Sequence, residues 1–267
     1  MHLCTPNLKM IMNKVLKSIL ILSVALMGTL MVSCEKDETL AYNNQTMGNI
    51  VEGRFVSDQG NTFNVVEQNC AGKLDTMKRA FILCDVLNKT AGGSANEYDV
   101  RLNGMARVLT KDIVAVENAT EDQLVQDPVH VQNVWISGGY LNMYIIFPVK
   151  TGSTTKHLIN LIHEGAIEEA EGASYNFTLT HNSYGDKLAV DGSVATQMGG
   201  AYVSFPLTTY IPEETAKIKL NWLWHQVSAG NNLLFETETR SLEGTYQKTG
   251  FEHAPSAIAT KSLIEII

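Results

Sequence analysis

Cysteine and proline are both scarce in this chain, and their scarcity excludes two kinds of architecture. The 267 residues include 4 Cys and 6 Pro. A small scaffold held by many disulfides needs more cysteine, and a collagen-like or Pro-rich chain needs more proline. Charged residues make up only 18% against 45% hydrophobic residues, which excludes a disordered chain. The composition therefore indicates a globular protein of one or two domains.

Basic residues are also fewer than acidic ones, with 20 Lys and Arg against 28 Asp and Glu. The formal net charge is −8 and the pI is about 5.4. Because an acidic surface repels phosphate groups, we do not expect nucleic acid as a partner.

Motifs of common catalytic and cofactor sites are absent from the sequence. It contains no Gly-x-Ser-x-Gly, His-Glu-x-x-His or Cys-x-x-Cys pattern and no phosphate-binding Gly-rich loop. We therefore expect a protein that is not an enzyme, and we assign it no catalytic, cofactor-binding or metal-binding residues.

The apolar segment near the N-terminus is too short to span a membrane. It runs over Ile19–Val32, fourteen residues without a charge, behind three lysines, whereas a spanning helix needs about 20 apolar residues. A short apolar run behind a basic segment is typical of a signal peptide. Met12 is an alternative start of translation, with the opening Met-Asn-Lys, and residues 1–11 would then not be translated.

The end of this run resembles a bacterial lipoprotein box, because the small residue Ser33 stands directly before Cys34. The resemblance implies cleavage after Ser33, so that residues 1–33 are the signal peptide and Cys34 carries the lipid. The alternatives are an ordinary secretory signal and an uncleaved anchor. Residues 34–47 would form the lipidated tether, and Glu35–Glu38 resembles an export signal of Bacteroidetes lipoproteins. We thus expect a lipid-anchored protein of the outer membrane, at the cell surface.

The rest of the chain is predicted to be all-β. Short alternating runs over residues 48–117 favour a small OB-like barrel. Residues 118–127 carry three acids and no base and are interpreted as a linker. Seven strand-like runs with Gly-rich turns over residues 128–240 favour an antiparallel β-sandwich. In the C-terminal tail, residues 241–267, Ser262–Ile267 is a candidate extra strand.

Two histidine-containing groups are candidates for metal binding, and both have simpler interpretations. His157 and His163 would be about 20 Å apart on one strand, too far for one ion, so with Glu164 they are interpreted as polar residues of a β face. The second group flanks a turn, where oxygen ligands for Ca²⁺ and ordinary turn chemistry both fit. It comprises His181, Asn182 and Asp186.

Other side chains also have a structural interpretation beside a functional one. An acidic cluster has no apolar surroundings that would raise a carboxyl pKa, and a solvated face is favoured. It comprises Glu164, Glu168, Glu169 and Glu171. Trp222 and Trp224 could stack on a sugar ring, but their alternation with aliphatic residues favours inward packing.

Cys70 and Cys84 are the other thiols downstream of Cys34. An exported protein can form a disulfide. If residues 61–67 pair with 78–84 as a hairpin, however, the two cysteines lie too far apart. Cys84 is better interpreted as a small core residue, and the pairing stays open.

Asp75-Thr76-Met77 matches a short O-glycosylation pattern of Bacteroidetes, in a polar loop. Thr76 is therefore a candidate for glycosylation.

Four segments together resemble the NigD-like lipoproteins of Bacteroidetes. This family pairs an OB-like N-terminal domain with a C-terminal β-sandwich, and the resemblance implies that fold but no activity. The segments are Tyr98–Val114, Asp127–Asn142, Lys156–Leu161 and Leu179–Asp186.

These observations predict a non-catalytic outer-membrane lipoprotein, a binding or accessory module for a protein or glycan partner. Lipid on Cys34 would hold it at the membrane. The alternative, suggested by the locus that gives the family its name, is an accessory or self-protection role beside a bacteriocin.

Overall fold

The computed structural model describes residues 45–169, 172–186, 196–225 and 237–248. These residues lie in one compact unit and are almost entirely β. Within these ranges one helix, α1, spans Glu121–Leu124, and 3₁₀ turns span Leu74–Thr76 and Val116–Asn118. The strands are β1 (Gln45–Val51), β2 (Arg54–Ser57), β3 (Thr62–Gln68), β4 (Arg79–Lys89), β5 (Glu97–Thr110), β6 (Val114–Ala115), β7 (His130–Ser137), β8 (Tyr140–Lys150), β9 (Leu158–Glu169), β10 (Gly172–Asn182), β11 (Thr196–Pro206), β12 (Thr215–His225) and β13 (Thr237–Gln247).

Strands β1 to β5 close into a barrel. β1 pairs with β2 and β4, β2 pairs with β3, and β5 joins the circle between β4 and β3. The β3–β5 pairing is parallel, whereas the other pairs are antiparallel. This five-stranded Greek-key barrel confirms the predicted OB-like fold.

β1 and β2 are separate strands, because Glu52 and Gly53 adopt positive φ values of 51° and 78° and turn the chain. β3 does not form a hairpin with β4, since β5 lies between them. The hairpin assumed for the cysteine pair is therefore wrong.

The second block is a sandwich that shares a sheet with the barrel. β5 runs on past the barrel and pairs in parallel with β11, which continues to β8 and β7. A second sheet, in the order β13-β12-β10-β9-β6, packs against β11, β8 and β7 across a core that includes Phe147, Phe177 and Phe205. The sandwich is confirmed, with the parallel pairs β10–β12 and β6–β9 among its mainly antiparallel ladders.

A buried ionic cluster joins the barrel to the sandwich. Arg79 of β4 donates a forked pair of hydrogen bonds to Asp58, at 2.7 and 2.5 Å. Its guanidinium also donates to Ser204 and Asn142 of the sandwich, both at 3.1 Å. Ser137 donates to the same Asp58 carboxylate at 2.5 Å. Because the donors and acceptors come from both blocks, the cluster fixes their relative position.

The segment 118–127 has largely exposed side chains, as a linker would, but its backbone is partly paired. The amide of Asp127 donates to the His181 carbonyl at 2.7 Å, and the amide of His181 donates to the Val125 carbonyl at 3.1 Å. The Asp127 carboxylate accepts from the Ser183 amide at 2.9 Å. The segment therefore lies against the end of β10, while the proposed division into domains stays a prediction.

Candidate interaction surface

The barrel is closed over only part of its length. β2 pairs with β3 at Thr62 and Phe63, and β1 reaches only as far as Leu83 of β4. Beyond these points β3, β5 and β4 continue as a three-stranded sheet without strands on its two outer edges among the described residues. The inner face of this extension is therefore only partly covered.

One row of this extension is apolar and partly open to solvent. Val65 of β3 and Val86 of β4 are both in register with Val100 of β5. Residues in register share a face of a sheet, so the three side chains form one row. Val100 is fully buried, but Val65 is 37% exposed and Val86 is 40% exposed.

Both strands that flank β5 carry a bulge beside this row. The register shifts between Val65 and Glu67, and again between Val86 and Asn88. A bulge takes one residue out of the ladder and re-aims its side chain. The residues taken out are Val66 and Leu87, which are 57% and 37% exposed. Together with Val65 and Val86 they form what we call the barrel-end patch.

The other face of the extension is polar and acidic. Arg101 donates to Glu67 at 2.6 Å and lies 3.8 Å from Asp85. Asp99 accepts hydrogen bonds from Thr90 at 2.7 Å and from Asn88 at 2.8 Å. These bonds stabilise the charged form and lower the pKa of the Asp99 carboxyl.

The first described residue of the barrel lies close to the barrel-end patch. β1 begins at Gln45, which is in register with Leu83 of β4. β1 and β4 are antiparallel, so the N-terminal end of β1 points toward the Cys84–Leu87 end of β4. The patch therefore lies near the N-terminal end of β1.

A second group of polar side chains lies in the sandwich and is closed to solvent. His157 Nδ1 is 2.8 Å from His181 Nε2, and His157 Nε2 is 3.2 Å from Asp186. All three residues are buried, and Phe147 packs on both rings. Burial and the neighbouring His157 lower the pKa of His181 to about 4, so its ring is neutral at pH 7.

The carboxylate of this group is held in its charged form. Burial alone would raise the pKa of Asp186, but hydrogen bonds from Ser153, the Lys150 amide and His157 outweigh it and lower the pKa. The group resembles an acid–base relay in its contacts. Because no member of the group reaches solvent, the arrangement fits a structural role. The group would connect the ends of β8, β9 and β10 through buried hydrogen bonds.

The family comparison matches residues 112–236 to the NigD-like C-terminal β-sandwich domain. We call residues 112–236 the NigD-like domain, after the family model that they match. The match confirms the resemblance predicted from the sequence, and because it begins at residue 112 it includes the segment 118–127. No curated protein matches the chain significantly.

Solved structures share the fold of the barrel and the NigD-like domain together. A protein of unknown function from Bacteroides vulgatus is 22% identical over 81% of this chain and 96% of its own, with a TM-score of 0.56. A NigD-like immunity protein from Bacteroides caccae is 17% identical over 73% and 89%, with a TM-score of 0.51. A lipoprotein candidate from Bacteroides fragilis is 13% identical over 77% and 100%, with a TM-score of 0.52. At these identities the likeness establishes the fold alone.

His157 and His163, which the sequence analysis considered together, have different partners in the structure. His157 belongs to the buried group, whereas His163 lies farther along β9 and hydrogen bonds to Tyr210. The turn residues His181 and Asp186 join His157 instead. Sequence reasoning named all three residues of the buried group but placed them in two separate candidates, because nothing local indicates that β9 and β10 bring them together.

Other predicted residues of the NigD-like domain have structural roles. Trp222 is buried in the sandwich core and Trp224 packs against it, as inward packing predicted. Glu164 is exposed and accepts a hydrogen bond from Thr178. The side chains of Glu168, Glu169 and Glu171 lie outside the described residues. Among the residues described, no group of three or more His, Cys, Asp or Glu has the arrangement of a metal site.

The predicted modification sites fall outside the NigD-like domain. Thr76 is exposed in the loop before β4, and its hydroxyl donates to the Lys73 carbonyl at 2.9 Å. Glycosylation there stays a prediction. Cys34 and the predicted signal peptide lie outside the described residues. No helix in the described ranges is long and apolar enough to cross a membrane.

The two thiols of the barrel are free. Cys84 is buried on the inner face of β4, in register with Leu102. Burial, together with the charge of Asp85, raises the pKa of its thiol to about 12. Cys84 is thus a core residue, as predicted, and is protonated at neutral pH.

Proposed function

We propose that this protein is a non-catalytic lipoprotein of the outer membrane that binds a protein partner through the barrel-end patch. Lipid on Cys34 would anchor it, with the folded part at the cell surface. The observation that carries the proposal is the pair of bulges at Val66 and Leu87, both of which are exposed and adjoin the partly open Val65 and Val86 along the chain. The lipoprotein candidate among the fold neighbours supports the anchor.

The chemistry of the patch favours a protein over a glycan. Its side chains are aliphatic, whereas sugar rings are held mainly by aromatic stacking and by hydrogen bonds. Exposed apolar groups that adjoin one another on a folded protein mark an interaction site, whereas scattered ones do not. The acidic residues on the opposite face of the same strands disfavour nucleic acid.

The position of the tether favours a partner in the membrane. The predicted tether of residues 34–47 is shorter than expected, because Gln45–Met47 belong to β1. The remaining residues 35–44 reach at most about 35 Å when extended. Since the chain enters the barrel at Gln45, close to the patch, the anchored protein would present the patch near the bilayer. An integral outer-membrane protein with an apolar surface segment fits that position.

The absence of catalysis is part of the proposal. The His157, His181 and Asp186 side chains have the contacts of an acid–base relay, but all three are buried and already satisfied by one another. A catalytic group must touch its substrate. This cluster supports a structural role, and turnover of a glycan or peptide panel by the purified protein would contradict it.

In-cell photo-crosslinking tests the binding surface. A photoreactive residue in place of Val66 or Leu87 should give a discrete adduct in intact cells. The same residue in place of Ile167, which is exposed on the sandwich, should give none. Val66→Glu should remove the adduct formed from position 87 without changing the free energy of unfolding. Equal adducts at all three positions, or none at the patch, would overturn the proposal.

A self-protection role is the second candidate, and one observation favours it. A fold neighbour from Bacteroides caccae is a NigD-like immunity protein. Deletion of the gene followed by challenge with a toxin encoded at the same locus distinguishes the roles. Increased sensitivity of the deletion strain would support self-protection. If expression of the Val66→Glu variant in that strain restored resistance, self-protection would not depend on the barrel-end patch.

A further inference from the structure

The two sheets of the sandwich do not meet on the side of β7 and β13. Within the described ranges, β7 is the last strand of one sheet and β13 the last strand of the other. Between them lies an apolar groove of about 140 Å³. Its walls include Val134, Ile136 and Leu141 from the first sheet and Ile218, Leu220 and Leu242 from the second.

One end of this groove is closed by contacts between the sheets. The Val129 amide donates to the Leu223 carbonyl at 2.9 Å. Next to it, Trp224 Nε1 donates to His130 Nδ1 at 3.0 Å, and the Arg240 guanidinium lies 3.4 Å from the centre of the Trp224 ring. At the other end the wall consists of Gly244 and Thr245 near the end of β13.

Leu242 is the side chain that the groove leaves uncovered. It is in register with Leu220 of β12, so both side chains belong to the inner face of their sheet. Leu220 is buried, but Leu242 is 46% exposed. The first sheet, as far as it is described, ends at β7 and does not extend over Leu242.

We propose that the C-terminal segment Ser262–Ile267 adds to the outer edge of β7 as a further strand and covers Leu242. β13 ends at Gln247, three residues after Gly244, so the chain leaves it at the end of the groove opposite the Trp224 contacts. Thirteen residues, 249–261, then separate Lys248 from the segment. They can span about 40 Å, whereas packed sheets are about 10 Å apart.

The residues of this segment match the groove. In an extended strand Ser262, Ile264 and Ile266 lie on one face and Leu263, Glu265 and Ile267 lie on the other. We place the face with Ile264 and Ile266 against Leu242, because the other face carries Glu265, the charged residue of the segment. A strand added to β13 would widen the second sheet but leave Leu242 exposed. A strand added to β7 would widen the first sheet and cover Leu242, so we place the segment on β7.

Hydrogen exchange on the full chain and on a chain that stops after Lys248 tests the inference. Amides of β7 that point away from β8 should exchange about tenfold faster or more in the shortened chain. In the full chain, the double variant Ile264→Asp with Ile266→Asp should show the same faster exchange. This variant tests the inference even if the shortened chain misfolds. Glu265→Lys is the matched control on the other face and should leave the exchange unchanged.

Three outcomes would overturn the inference. Faster exchange in β13 instead of β7 would place the segment on the other edge. Protection of β7 that depends on protein concentration would assign the groove to a second copy of the chain. Equal exchange in all the variants would show that the segment does not occupy the groove.

Discussion

Arg79 illustrates how one charged residue can organise a β-rich interior. Its side chain is 1% exposed, and its guanidinium has hydrogen-bond acceptors on every side, with the Tyr140 ring 4.1 Å from it. A buried arginine is tolerated only when paired and hydrogen bonded. Nothing in the local sequence around Arg79 indicates this, because its partner Asp58 and the polar residues of the sandwich are distant along the chain.

Arg79→Met should lower the free energy of unfolding by about 3 to 5 kcal/mol, because it leaves Asp58 buried without a counter-charge. Arg79→Met combined with Asp58→Leu should recover a large part of that loss, since no buried charge remains. Urea unfolding followed by circular dichroism measures both. A single variant as stable as the parent would show that the ion pair contributes nothing to stability.

The buried His181 makes stability depend on pH in a defined window. Its pKa is about 4 in the folded protein, against about 6.5 in an unfolded chain. The unfolded chain therefore takes up a proton first as the pH falls from 7, and stability should fall by roughly 3 kcal/mol between pH 7 and pH 4. Below pH 4 both states are protonated and this contribution becomes constant.

The measurement is the midpoint of urea unfolding at pH 7, 6, 5 and 4. His181→Gln should remove this part of the pH dependence, whereas His163→Gln, on the same sheet but outside the buried group, should retain it. An unchanged slope in the His181 variant would mean that other groups cause the acid sensitivity.

At the scale of elements, the barrel depends on a close approach of β1 and β2. Gly48 is in register with Ser57, and a Cβ on Gly48 would overlap the Val56 carbonyl oxygen and lie 2.7 Å from Ser57 Cα. Because backbone atoms surround this position, relief would require the strands to separate. The sequence does not distinguish this glycine from those in turns.

Gly48→Ala should therefore destabilise the protein by about 3 kcal/mol, at the upper end of the usual cost of overpacking. Gly104→Ala is the matched control on β5. Its nearest neighbour is the end of the Leu83 side chain at 3.0 Å, which can rotate away, so we expect a loss of less than about 1 kcal/mol. Thermal unfolding compares them, and equal losses would contradict the argument.

At the scale of the whole molecule, the shared sheet couples the barrel to the NigD-like domain. The β5–β11 pairing and the Arg79 cluster both cross between them. An inter-domain contact that includes sheet hydrogen bonds and a buried ion pair leaves little freedom for independent motion.

We therefore expect one cooperative thermal transition, with equal calorimetric and van't Hoff enthalpies. Cleavage at Glu121 or Asp122 should leave both fragments associated at low denaturant. Two separate transitions, or fragments that each unfold cooperatively after separation, would instead support independent domains of residues 48–117 and 128–240.

The predicted anchor is tested at the same scale. Cys34→Ser should release the protein from membranes or leave an unprocessed precursor, because lipid chains are the proposed attachment. Fractionation of cells and labelling with a fatty-acid analogue measure this. Lipid labelling that persists in the variant would contradict the assignment of Cys34.

Local patterns in the sequence were enough for the all-β class, the OB-like barrel followed by a sandwich, and the inward faces of strands such as β12. The signal-like N-terminus and Cys34 are likewise local patterns. Alternation with period two reports which side chains share a face, and this information is contained in neighbouring residues.

Only the tertiary structure decided which strands are partners. It placed β5 between β3 and β4, joined β5 to β11, and brought His157, His181 and Asp186 together. It also revealed the bulges that expose Val66 and Leu87. The physical reason is that sheet pairing and register are non-local: a strand presents the same alternating pattern to any partner, and the total burial and hydrogen bonding of the fold select among them.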